Sequence, residues 1–357
     1  MSTKQYPLIF DGHNDTVLEL CASDPKKKRD FFAHADHGHI DLPRAQAGGL
    51  GGGFFAMYTR SAEGMTTMPG EESGDDGSYE IKMPAPPAYA DALQWTVKTA
   101  AELLGVEKRS AGRVKIVRTA SELEHCLANG LFAMLLHIEG AEAIGTDFDS
   151  LHVLYAMGLR SLGPVWSRPN AFAYGVPFKF PGDPDIGPGL TDAGRDLVKE
   201  CNSLRVIIDL SHLNEKGFWD VEALSDAPLV ATHSCAHALS PTPRNLTDKQ
   251  LDAIKATNGV VGVNYHIGFL RTDGKSNQVT SLSEIARHAA YMAERIGVEH
   301  IALGSDFDGA IMPHDLRDAA GLPKLMAALE DHGFDDADLR KIAHENWIRV
   351  LRATWGE

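Results

Sequence analysis

The chain has 357 residues, of which 43% are hydrophobic, enough for a sizeable core. Its 34 Lys and Arg stand against 49 Asp and Glu, a formal charge of −15. That balance argues against a nucleic-acid partner or an anionic membrane surface, and no apolar run approaches the roughly 20 residues of a membrane span.

The first expected strand, residues 8–11, begins too close to Met1 for a secretory signal, so a cytoplasmic protein is expected. It runs into Asp11-Gly12-His13-Asn14-Asp15. A strand repeats every two residues, so His13 and Asp15 should leave one face as an imidazole beside a carboxylate. Lys26-Lys27-Lys28-Arg29 reads as a solvated loop, and His34, His37 and His39 sit in polar sequence expected at the surface or in turns. The second strand, 53–58, is followed by 62–87, rich in Gly, Pro and acidic residues and expected to be partly mobile. A helix over 89–104 leads to the third strand, 132–138, which ends in His137-Ile138-Glu139-Gly140. The fourth, 159–165, opens into 168–189, a Pro-, Gly- and aromatic-rich loop expected to cover a site.

A helix over 191–203 precedes the fifth strand, 206–210, which runs through Asp209-Leu210-Ser211 to His212. The sixth, 229–232, ends at His233. Helix 248–256, strand 260–264 and helix 281–296 follow, with His288 of the last helix expected at the surface. The eighth strand, 301–304, runs into Ser305-Asp306-Phe307-Asp308-Gly309, and 335–354 reads as a closing helix. Cys21, Cys126, Cys201 and Cys235 are too sparse for a disulfide framework. Eight strands with mostly helical connections predict a closed (β/α)8 barrel of the TIM type. The whole of residues 1–357 then forms one catalytic domain, with the loops 62–87 and 168–189 over its C-terminal face.

In such a barrel the ends of strands one, three, five, six and eight converge on one mouth. Three imidazoles and several carboxylates in one pocket need cations to hold them there. A single catalytic zinc takes three protein ligands and keeps one position open. Here His13, Asp15, Glu139, His212 and His233 make five, which suits two metals sharing a bridging carboxylate, with Glu139 the natural bridge. Zinc fits these donors, and so do manganese and iron. Water between two metals becomes a nucleophile, and Asp306 is placed to carry its proton to a leaving group.

These segments together resemble the membrane dipeptidase (renal dipeptidase) family of metallopeptidases, in its soluble bacterial branch. The matching pieces are residues 11–15, 39–44, 51–56 with the paired Phe54 and Phe55, 138–140, 209–212, 232–234, Pro243-Arg244-Asn245-Leu246 and 304–309. The resemblance implies one zinc on His13 and Asp15, a second on His212 and His233, and Glu139 between them. It implies that Asp306 protonates the departing amine and that Arg244 pairs with the substrate carboxylate. It further implies a homodimer, and free dipeptides as substrates, L-Xaa-L-Yaa and L-Xaa-D-Yaa alike, cleaved by a metal-bridging hydroxide. Two positions depart from the family pattern. Trp166 of Val165-Trp166-Ser167 stands where the family has a substrate-contacting His, and Phe269 is the nearest candidate for an aromatic contact. Two rival readings follow: a binuclear amidohydrolase acting on a non-peptide amide, lactone or ester, and a non-catalytic metal-binding scaffold.

Overall fold

The structure is a computed structural model that describes residues 4–61, 69–71, 74 and 76–356. Its frame is eight parallel strands: β1 (Ile9–Asn14), β2 (Leu50–Tyr58), β3 (Phe132–Glu139), β4 (Leu159–Gly163), β5 (Ile207–Ile208), β6 (Val230–Ser234), β7 (Val260–Val263) and β8 (Ile301–Leu303). Ladders join β1 through β5 in that order, and β6 to β7 to β8. Two parallel bridges close the circuit, Asp209 to Val230 and Asn14 to Phe307. The backbone amides of Leu210 and Asp15 donate across these seams, each at 2.8 Å, to the carbonyls of Val230 and Phe307. This is the expected (β/α)8 barrel.

Helices α1 (Leu42–Gly48), α2 (Tyr89–Arg109), α3 (Asp149–Met157), α4 (Asp192–Leu204), α5 (Glu215–Leu224), α6 (Asp248–Ala256) and α7 (Leu282–Ile296) fill the successive connections, and α8 (Asn346–Trp355) follows β8. Polar caps set where several begin: Thr191, Asn214 and Thr247 each accept from a first-turn amide, and Thr247 with Gln250 forms a full capping box. Such a cap contributes about 1 kcal/mol over alanine. The closing helical run enters α8 through a π-helical turn at Lys341–Glu345.

Alternating strand residues serve two cores. Phe10, Phe54, Leu135, Ile207, Val230, Val260 and Ala302 gather around the buried Trp347 of α8, whose indole donates to the Leu303 carbonyl at 3.2 Å. Ile9, Phe55, Leu136, Val261 and Leu303 pack with the helices instead. Leu135, His137 and Glu139 share one face of β3, so the apolar layer gives way to polar side chains toward the strand's C-terminal end.

The two long loops meet: Tyr79–Glu80 pairs antiparallel with Lys179–Phe180. The mobility expected of 62–87 falls in part on residues outside the described ones. Among the described residues no helix is long and apolar enough to cross a membrane. All four cysteines are free and buried.

Two surface assignments are corrected, and part-exposed His39 gains a distant partner. Arg29 is buried in an ion pair with Asp308. His39 Nδ1 accepts from the Asp308 amide at 2.7 Å. His288 is buried, bonded to the Ala236 amide and the Leu270 carbonyl. In each case the partner is distant in sequence, so local polarity misled.

Candidate metal centre

The barrel brings the five candidate ligands together. Glu139, at the end of β3, faces both sides. Its Oε1 lies 3.0 Å from His212 Nε2 and 3.6 Å from His233 Nε2, and its Oε2 lies 3.7 Å from His13 Nε2. His13 Nε2 is also 3.5 Å from Asp15 Oδ2. Two donor groups thus overlap at Glu139: His13–Asp15–Glu139 and Glu139–His212–His233, each with ligand atoms within 4.8 Å of one another.

His13 and Asp15 meet by a different route from simple strand alternation. The β1–β2 register shifts between Asp11 and Asn14, the strand ends at Asn14, and Asp15 occupies the N-cap position of a short helix, Thr16–Leu20. His212 and Asp306 lie just beyond β5 and β8 with φ of 69° and 62°. Non-glycine residues in this left-handed region are strained and concentrate at functional sites. Close packing beneath them is made possible by glycine: a Cβ at Gly262 or Gly304 would run into the Thr232 carbonyl oxygen.

Partners behind the imidazoles orient them. The Thr232 hydroxyl donates to Asp209 Oδ2 at 2.6 Å, so it accepts from His233 Nδ1 at 2.8 Å. That leaves His233 Nε2 as a bare lone pair. Ser167 Oγ lies 2.7 Å from His212 Nδ1. The Nε2 atoms of His212 and His233 lie 3.1 Å apart. Orienting groups of this kind accompany metal-binding histidines. Asp209 stands near His13 and His233 as well, but its oxygens are taken by the amides of Ser211 and Thr232 and the Thr232 hydroxyl.

The electrostatics agree. Burial pushes Glu139 and Asp15 above the usual carboxylate range. Burial drives His212 and His233 well down, helped by the charges of Arg244 and His13. At His13 burial lowers the pKa, but Glu139 and Asp15 outweigh it and raise it to about 10. Among the described residues, His13 Nε2 and Asp15 Oδ1 have no hydrogen-bond partner. A buried donor set so short of partners fits divalent cations. His137 lies behind it, bonded through Nδ1 to Ser161 Oγ at 3.0 Å and held neutral by burial, which lowers it to about 3.

A cavity of about 390 Å³ opens over this cluster, with Asp15, Glu139, His212 and Asp306 in its wall. The match to the membrane dipeptidase family, peptidase family M19, runs over residues 3–355. The chain belongs to that family. This M19 metallopeptidase is similar to a metallo peptidase from Rhodobacter sphaeroides liganded with a phosphinate mimic of the dipeptide L-Ala-D-Ala. The two share 46% identity and a TM-score of 0.93, over 98% of this chain and 100% of that one. It is similar also to a metallo peptidase described as dipeptidase AC, at 47% identity and a TM-score of 0.92, over 99% and 100% of the two chains. Dipeptidase tcpJ of Claviceps purpurea (strain 20.1) is 29% identical over 347 residues, 96% of this chain and 76% of that one.

Of the remaining predicted residues of this M19 protein, Asp306, Trp166 and Phe269 line the same cavity, and Arg244 packs against Phe269. Asp306 accepts from Asn264 Nδ2 at 2.9 Å, and its amide donates to the His13 carbonyl at 2.9 Å. Trp166 lies against His212, ring centroids 5.9 Å apart, and against Tyr58 and Phe178. Phe269 stacks on Phe178 at 6.0 Å and carries the Arg244 guanidinium 5.4 Å from its centroid. Arg244 is buried, and Nη2 donates to the His233 carbonyl at 3.0 Å. Four arginines are buried among the described residues. Arg29, Arg44 and Arg168 have carboxylate partners in Asp308, Asp41 and Glu142, whereas Arg244 has none within 4.0 Å among the described residues.

Sequence reasoning missed Tyr58, Phe178 and Asn264. The pairing of the two loops brings Phe178 over the site, and the aromatic content of 168–189 was its only signal.

Proposed function

We propose that this chain hydrolyses free dipeptides at a two-metal site, with zinc as the ion that best suits its donors. His13, Asp15 and Glu139 would hold one metal, and Glu139, His212 and His233 the other. Metals bound there would acidify water and polarise the peptide carbonyl. The protein's own groups do the rest. Arg244 binds the substrate's free carboxylate, a role suited to its planar fork of donors. Asp306, steadied by Asn264, carries a proton to the departing amine. Trp166, Phe178 and Phe269 exclude water and bound the side-chain space.

One observation carries the substrate class: Arg244 is a buried guanidinium beside the ligand set with no carboxylate of its own among the described residues. Leaving such a charge unpaired is costly, so an anionic group from the substrate is its natural complement. Arg244→Met should therefore raise KM for free dipeptides by about 10–100-fold, the about 1.5–3 kcal/mol of a hydrogen bond to a charged group. C-terminally amidated analogues should lose far less. Equal losses on both would rule out carboxylate recognition.

The reading as a whole is tested by initial rates of the zinc-loaded protein on a panel of L-Xaa-L-Yaa and L-Xaa-D-Yaa dipeptides. The ligand of the Rhodobacter relative supports including L-Ala-D-Ala. Turnover concentrated in a subset is the expected result. No turnover anywhere, with two metals bound, would favour a non-peptide amide, lactone or ester. The single-domain organisation over 1–357 belongs to the same proposal.

A further inference from the structure

The reaction proposed above does not use a second buried charge pair, on the side of the cavity formed by Asp15 and Asp306. Arg29 Nη2 lies 2.6 Å from Asp308 Oδ2, with both side chains 1% exposed. The same carboxylate takes the Thr16 hydroxyl at 2.9 Å and the His39 amide at 2.6 Å. Arg29 is anchored in turn by the Ile40 carbonyl at 2.9 Å. Asp308 thus ties three chain segments together, and Thr16 is the residue next to Asp15.

The turn it belongs to is strained. Asp306 and Asp308 both have positive φ, 62° and 66°. Backbone held in this region persists only where surrounding contacts over-determine it. The turn is also interlocked with the first strand. Asp306 N donates to the His13 carbonyl, and the Phe307 carbonyl accepts from Asp15 N. Gly309 packs so closely on the Asp15 carboxylate that a Cβ there would collide with it.

We propose that Arg29 and Asp308 are positioning residues, whose buried ion pair holds the Asp306–Gly309 turn so that Asp306 faces the substrate and Asp15 faces its metal. Neither touches the reacting atoms. The inference rests on the dipeptidase reading for its kinetic consequence, but its consequence for metal retention stands apart from it.

The test is the double variant Arg29→Met with Asp308→Asn. It leaves no unpaired buried charge, and asparagine tolerates the left-handed backbone. A pair that serves stability alone is replaceable in this way without loss of function. A positioning pair is not: kcat should fall by about 10–100-fold with KM for dipeptide unchanged, and a competing chelator should strip one metal about 10–100-fold more readily. Arg29→Lys retains the charge without the fork and should restore both properties in part. It carries the test alone if the double variant does not fold. Wild-type kcat and metal retention in the folded double variant would overturn the inference, as would wild-type values in Arg29→Lys if that variant stands alone. If the wild-type protein cleaves no dipeptide, the dipeptidase reading fails, and chelator competition still decides the role of the pair.

Discussion

Glu139→Gln is expected to leave the protein without either metal. Glu139 is the one residue common to both donor groups, with Oε1 toward His212 and His233 and Oε2 toward His13. Glutamine preserves the shape but offers one neutral oxygen, so each of the two proposed metals would lose an anionic ligand at once. Removing a group behind a ligand typically costs 10–100-fold in affinity, roughly speaking, and removing a shared ligand should cost more. Fold loss does not confound the result, because glutamine brings no charge to bury. Two readouts check it. Elemental analysis after dialysis should give wild-type protein two metals and the variant none. Metal at 100 times its Kd stabilises a fold by about 2.7 kcal/mol, so chelator should lower the wild-type melting temperature and leave the variant's unchanged. Two equivalents bound in Glu139→Gln would dismiss it as the bridge.

The legibility of this site follows from barrel geometry. Parallel strands all point their C-terminal ends at one mouth, so Glu139, His212 and His233 could be grouped without knowing any contact. Their strands were readable because each is an apolar run bounded by polar residues. His13 and Asp15 were grouped correctly by an incomplete argument: the strand ends one residue early, and a register shift brings the carboxylate round. Arg29 was not legible. It ends a run of three lysines, and its burial depends on Asp308, which reaches it only once the barrel has closed. The contact of His39 with Asp308 was hidden for the same reason. Phe178 was hidden because its place over His212 comes from pairing between two loops, and no local periodicity encodes that.

Asp306→Asn should separate chemistry from metal binding. The substitution suits the backbone, since asparagine tolerates the φ of 62° where alanine or leucine would add strain. It keeps an oxygen for the Asn264 amide, now received at 2.9 Å by Oδ2. It also keeps the backbone bond to the His13 carbonyl. What it removes is the ability to take up and release a proton. General acid–base catalysis contributes about 10²–10⁴-fold, and kcat should fall by that factor while metal content and KM hold. Leaving-group chemistry sharpens the assignment. A peptide amine must be protonated to depart, whereas a p-nitrophenolate leaves unaided. The deficit on a dipeptide should therefore shrink on an aminoacyl p-nitrophenyl ester. A deficit of equal size on both would mean that Asp306 acts before the bond breaks, on the attacking water alone. A near wild-type rate on the dipeptide would remove Asp306 from the chemistry altogether.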